Sequence, residues 1–377
     1  GGTAVVGSAA GTGTTGIGVN ASNGTVTVNG DATGYIAIDA MNSATVTVNG
    51  DARGIATGVL ALSGASVTVD DAIATGTNSY GAKAVGGSTI TVNGDAEGQD
   101  YGAWAQGLNS TIIVSGMARA SSPTSYGACA SDSGIVEAGA AEGGTYGAIA
   151  IGASSRVTVS GTVQGTASGA YANLGTVSAG SATSTGDGSF GVFADGGTIE
   201  INGNVTGAGY GAWAHNNSTI QVNGAVQGVS YGVFADGSTI VVNGNVTATS
   251  GTGTGASARN GSLITINGAL TAPYYITVNG IVKTPDQGVE GTDADEGYLV
   301  YSEGTDKVRV MQITAVITIT GQPAASLNLT EGAISATLTC AAAVDPDGTP
   351  SYLWYSCDNP AKENPVSTGV TTATFTI

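Results

Sequence analysis

The residues best suited to chemistry recur at a fixed interval. Tyr171, Phe193, Trp213 and Phe234 follow one another at steps of 20 to 22 residues. Two residues after each comes a polar side chain: Asn173, Asp195, His215 and Asp236, with Arg259 next in the series. His215 is the only histidine of the chain. Stacked along one face, these columns would set His215 between two carboxylates beside an aromatic strip. Flat rings can take the C–H face of a sugar, and Asp, His and Asn can bond its hydroxyls, the mix of apolar floor and few polar groups expected of a ligand site. Paired carboxylates can also hydrolyse a glycosidic bond. If Asp195 and Asp236 are two strands apart in a parallel stack, about 9.6 Å separates them, at the edge of the inverting range. Of the Lys and Arg that would hold an acidic sugar, only Arg259 is near. A bland alternative is repeat decoration, or a surface covered by another segment, because Leu60, Trp104 and Ile149 continue the column and the companions of Leu60 and Ile149 are the apolar Leu62 and Ile151. If the face assignment is reversed, the rings fill the core.

What must position these residues is a repeat. The phrase Thr-Val-Thr-Val-Asn-Gly at 25–30 and 45–50 returns as Thr-Ile-Thr-Val-Asn-Gly at 89–94 and in altered form at 219–224 and 239–244. Counting degenerate copies at 70, 115, 138, 160, 179, 202 and 267, the unit recurs twelve times at about 22 residues. Between copies lies a second phrase, Tyr-Gly-Ala-x-Ala, at 80–84, 101–105, 126–130, 146–150 and 210–214, with Phe190 and Tyr231 opening variants. A third short piece follows each Asn-Gly. All three read as period-2 strands with Gly-rich corners. A unit this short cannot bury its own apolar face, so units must stack, each strand pairing with its copy. The expected fold is all-β: a single-stranded parallel β-helix of about a dozen coils over residues 1–282, about 55 Å long.

Composition supports order. Gly numbers 63 of 377 residues, yet 41% of residues are hydrophobic, and 10% are charged. Disordered chains show the opposite balance. The 27 acidic against 9 basic residues leave a net charge of -18, which repels phosphate backbones, so no nucleic acid partner is expected. No apolar run reaches the roughly 18–20 residues of a membrane span. The chain opens at Gly1 and closes within a strand-like run, Thr371 to Ile377, so it reads as a piece of a longer protein. Cys129, Cys340 and Cys357 match no metal spacing, and no cofactor or metal is expected.

Parity assigns the faces. In Thr-Ile-Thr-Val, Ile and Val point inward and Thr outward. In Tyr-Gly-Ala-x-Ala, the Tyr and both Ala share the inner face, with Gly and x outside. Asn-Gly makes a corner through tolerance of positive φ, and the stacked Asn form an amide ladder.

Over residues 17–282 this architecture resembles the stalk regions of bacterial adhesins and autotransporter-like surface proteins. The resemblance implies a secreted or cell-surface setting, a monomer, and glycans or host surface proteins as partners. Two other readings stand beside it: a polysaccharide-acting glycoside hydrolase, and an ice-binding solenoid using the Thr-x-Thr pairs at 25/27, 45/47 and 89/91. The Thr pattern decays at Ile113, Glu200, Gln221 and Val241.

After Asn279 the repeat stops. An acidic stretch from Asp286 to Glu296 precedes a hairpin-like pair, Tyr298–Tyr301 and Val308–Met311, expected to cap the open last coil as a segment 283–313. A solvated loop is favoured over calcium binding at Asp293, Asp295 and Glu296. Residues 314–377 carry further strands, and Gln322-Pro-Ala-Ala together with Cys340 and Trp354 resembles the opening of a bacterial immunoglobulin-like module, implying a partial sandwich. Cys357 comes too soon after Trp354 to be the second cysteine of such a fold.

Overall fold

A computed structural model describes residues 2–312, 316–322, 337–345, 350–356 and 366–376. The chain divides into two units, Gly1–Met311 and Gln312–Ile377. The first is a parallel β-solenoid of about 13 turns spaced about 21 residues apart.

One coil shows how it is built. An aromatic strand, Tyr210–His215, leads to a Thr strand, Thr219–Val222, and then to a short strand, Val226–Gly228. Each pairs in parallel with its copy one coil on: Tyr231–Asp236, Thr239–Val242 and Val246–Ala248. Ile220, Val222, Val226, Ala212 and Ala214 are buried, and their counterparts fill the same column in successive coils. The pairing sets Ala138 opposite Val114 and Val159, and Ala179 opposite Val159. The Asn-equivalent positions of those two coils are therefore Gly139 and Gly180, one residue beyond the sequence alignment.

The Thr strand keeps its expected faces, but the aromatic strand does not. Tyr210 is half-buried on the outside, whereas Gly211, Ala212 and Ala214 are buried. Two consecutive inward residues break the period of 2, and the register skips the Gly. The cause is space. A Cβ on Gly211 would lie 2.4 Å from the core Val226 Cγ1 and 2.5 Å from the Gly232 carbonyl oxygen. Only a residue without a side chain fits that inner corner, so Gly turns in and Tyr turns out.

The Asn-Gly corners also work differently from expectation. Among the described residues the left-handed positions gather at the other corner, between the aromatic and Thr strands, at Asn216 and Asn217 for example. Gly50, Gly94 and Gly224 have ordinary φ. They are needed for close approach: a Cβ on Gly94 would lie 2.0 Å from Asp71 Oδ1. Through that gap the Asp95 backbone N–H donates to Asp71 Oδ1 (2.8 Å), as Asp51 N–H does to Asp31 (3.0 Å) and Ala225 N–H to Asn204 (2.9 Å). The amide ladder is present in two runs. Asn49 reaches Asn29, and farther on Asn223, Asn243 and Asn267 each donate to the Asn one coil back, at 3.2, 2.8 and 2.7 Å.

The repeat ends where Asn279-Gly280 makes a true reversal. Both residues have positive φ, 48° and 80°, and Tyr274–Val278 pairs antiparallel with Ile281–Lys283. The expected hairpin then forms from Tyr298–Glu303 and Asp306–Met311. Its second strand lies parallel on Leu263–Ile266, so it continues the solenoid within the same compact unit. Asp306 Oδ1 accepts the N–H groups of Gly261 and Ser262, both at 2.8 Å, taking the place that Ser hydroxyls hold in earlier coils. Asp295, from the acidic stretch, is clamped by Lys307 (2.7 Å) and Arg309 (2.5 Å). The Lys307 hydrogen bond, with the Arg309 and Lys307 charges, holds its carboxyl below the usual range.

In the second unit Val316–Gly321 pairs antiparallel with Ala341–Asp345, Thr337–Thr339 with Thr374–Thr376, and Tyr355–Ser356 with Val366–Ser367. Trp354 stacks on Phe375 (5.7 Å) and donates its indole N–H to the Thr372 carbonyl (2.8 Å). Cys357 lies outside the described residues.

Replacing Gly94 by Ala would push Asp71 off the Asp95 N–H and crowd the Asp70 carbonyl oxygen, 3.3 Å from the new Cβ. The expected loss is about 1–3 kcal/mol, the cost of overpacking a fitted site, against within about 0.5 kcal/mol for Thr47→Ser on the outer face. Denaturant midpoints of the two variants measure the difference.

Candidate functional site

Tyr and x of each aromatic strand stand three residues apart, and both project outward because of the inward Gly-Ala step. Their rings meet. Tyr101 stacks on Trp104 of its own strand at 4.8 Å and on Tyr80 of the preceding coil at 5.2 Å. Tyr126 continues to Tyr146 (5.6 Å). In the next coil the Tyr position is Ser168, and the run passes sideways to Tyr171 (5.1 Å). Tyr171 lies parallel to Phe193 (5.1 Å, 2° between planes), Phe193 meets Trp213 (5.0 Å), and Trp213 meets Phe234 edge-on (5.6 Å). Tyr210 and Tyr231 stack alongside at 4.8 Å. The result is an unbroken aromatic spine over eight coils, about 34 Å at the interstrand spacing. A cation closes each end. Lys83 Nζ sits 4.2 Å from the Trp104 ring centre, and Arg259 sits 4.9 Å from that of Phe234.

The sequence-derived site residues therefore share one surface, but as part of a larger array. Tyr171, Phe193 and Trp213 are half-buried, and Phe234 is 9% exposed. Most ring faces in the run lie against another ring, so what turns to solvent is mainly ring edge. Such contacts contribute about 0.5–1.5 kcal/mol per pair beyond burial. The outward Tyr column was missed at the sequence level because strict period-2 parity put it inside. The clue was the invariant Gly after each Tyr or Phe, a sign of a bulge or close backbone approach.

The polar column is continuous from Asp195 to Arg259. His215 Nδ1 lies 3.3 Å from Asp195 Oδ1, and its Nε2 lies 3.9 Å from Asp236 Oδ2. Asn216 donates to Asp195 (2.7 Å). Arg259 and Asn260 donate to the two oxygens of Asp236, at 2.8 and 2.5 Å. Asn173 donates to the Tyr171 hydroxyl (3.2 Å). Burial pushes the Asp236 carboxyl up. The Arg259 and Asn260 hydrogen bonds and the Arg259 and His215 charges outweigh it, leaving it below the ordinary carboxylate value. Trp104 donates its indole N–H to Ser131 one coil on (3.0 Å). For Trp213 that place is taken by Asp236, whose oxygens are held by Arg259 and Asn260, and among the described residues the buried Trp213 N–H has no partner.

Among the described residues no group of three or more His, Cys, Asp or Glu is placed to hold a metal ion. No helix is long and apolar enough to cross a membrane. No protein-family model, curated protein or solved structure matches the chain.

Tyr126 sits mid-spine with no hydroxyl bond among the described residues. Tyr126→Ala is expected to lower stability by about 1–3 kcal/mol, whereas Tyr126→Phe keeps the ring contacts and stays within about 0.5 kcal/mol. Thermal unfolding of the pair separates stacking from hydrogen bonding.

Proposed function

We propose that this chain is an elongated structural element of a secreted or bacterial cell-surface adhesive protein, with the second unit as an immunoglobulin-like module. The observation that carries this reading is the saturation of the outer columns. Rings stack on rings, amides bond amides, and acidic side chains accept backbone N–H groups from the next coil. Side chains spent on their neighbours make a rod stiff and leave few groups free to act on a substrate.

Glycan contact is the second reading. It rests on the ring edges flanked by Asn173, Asp195 and His215, whose side chain is 37% exposed. Host surface proteins fit the same edge. Glycoside hydrolysis has less support. A general acid needs a carboxyl raised toward neutral pH, and Asp236 is held the other way. Ice binding through the Thr face is weaker still, because the regular pairs extend over only the first coils.

A glycan-array comparison of the native chain with Trp213→Ala and His215→Ala tests the contact reading, with circular dichroism as the folding check. The rod reading expects no retained glycan on any of the three. Retention by the native chain that is lost in both variants, with folding intact, would place a binding site on the spine and demote the purely structural role.

A further inference from the structure

The Asn-Gly dipeptide occurs at three kinds of place in this chain, the coil corners, the bends at 23–24 and 260–261 that lead into Thr strands, and the reversal at 279–280, and these differ in chemical exposure. In the coil corners at 223–224 and 243–244 the amide is tied down. Asn223 donates to Asn202 (3.2 Å) and accepts from Asn243 (2.8 Å), while the Gly224 N–H donates to the Gly203 carbonyl (3.1 Å). Asn243 is held in the same way by Asn223 and Asn267, with Gly244 N–H on the Gly224 carbonyl (3.2 Å). Coils on either side grip both corners.

Asn279-Gly280 is free of these restraints. Both residues are exposed, the turn is left-handed at both, and nothing lies within 4 Å of where a Gly280 Cβ would stand. Among the described residues the Asn279 side chain makes no hydrogen bond, and the Gly280 N–H has no acceptor. We propose that Asn279 is a self-modification site, where the chain deamidates through its own backbone while the corners at Asn223 and Asn243 are protected.

The step balances with water alone. The Gly280 N–H loses its proton to solvent, and the nitrogen attacks Cγ of Asn279, forming a new C–N bond. The Cγ–Nδ2 bond breaks, and the amide leaves as ammonia with a proton from solvent. Water then opens the five-membered imide at either carbonyl, giving aspartate or isoaspartate. Either product adds a negative charge at the end of the last full coil. The isoaspartyl form also lengthens the backbone of a two-residue turn whose geometry sets the Tyr274–Val278 and Ile281–Lys283 pairing.

A corner Asn must give up its ladder bond and its Gly N–H bond before attack, so its rate should fall by about tenfold or more relative to Asn279. The test incubates the full chain under mildly alkaline native conditions and follows each Asn-Gly peptide by mass spectrometry, with fragmentation that separates isoaspartate. The same incubation in urea supplies the unfolded rates. The proposal expects Asn279 to convert in the native chain ahead of Asn223 and Asn243, which lag by about tenfold, and all three to converge in urea. Equal native rates, or faster conversion at Asn223 or Asn243, would overturn it. So would conversion at Asn279 that occurs in urea and not in the folded chain. Asn279→Gln, which lengthens the side chain and disfavours the five-membered ring, should remove the native signal.

Discussion

The structure of the first unit rests on one constraint: the strands of each coil pair in parallel with their copies one coil away. Parallel pairing fixes which residue lies over which, so a residue type chosen once is repeated as a column. Columns of buried Ile, Val and Ala then form the core. Columns of polar side chains must find partners in the column itself, and they do so by bonding up or down the axis. The same rule makes a mismatch expensive, since one misplaced side chain disturbs the coils above and below it.

Glycine is what lets this packing close. In the aromatic strand it turns inward where a side chain would strike Val226 or its equivalent, and that step throws the Tyr or Phe ring outside. At the Asn-Gly corner it leaves room for the Asp or Asn of the preceding coil to reach a backbone N–H. One small residue type thus produces both the aromatic spine and the carboxylate ladder. At the far end Asp306 supplies the ladder contact for the last corner, and Tyr298 extends the amide ladder by donating to Asn267 (2.6 Å). The cap is therefore bonded in the same manner as a coil.

Much of the solenoid was legible in the sequence because its signal is repetition. The parallel pairing, the inward Ile and Val, the amide ladder and the alignment of Asp195, His215 and Asp236 all follow from spacing. What escaped were features that depend on three-dimensional room. Parity cannot show that Gly211 meets Val226, so it placed Tyr210 inside. Composition cannot show whether an Asn-Gly pair bends through positive φ, as at Asn279, or serves as a close contact, as at Asn93. Degenerate coils hid the register at Ala138 and Ala179, where no Asn marks the corner. The Trp213 ring could be placed in its column, but not the fact that Phe193, Tyr210 and Phe234 all lie against it.

A distance measurement tests the rod most directly. Spin labels at Thr25 and Thr239, with the native thiols replaced by Ala, would sit on the same outward column ten coils apart. One-coil register throughout requires a single narrow distance of about 48 Å between the labelled backbones, at the interstrand spacing. A broad distribution, or a markedly shorter distance, would contradict a stiff, continuously stacked solenoid.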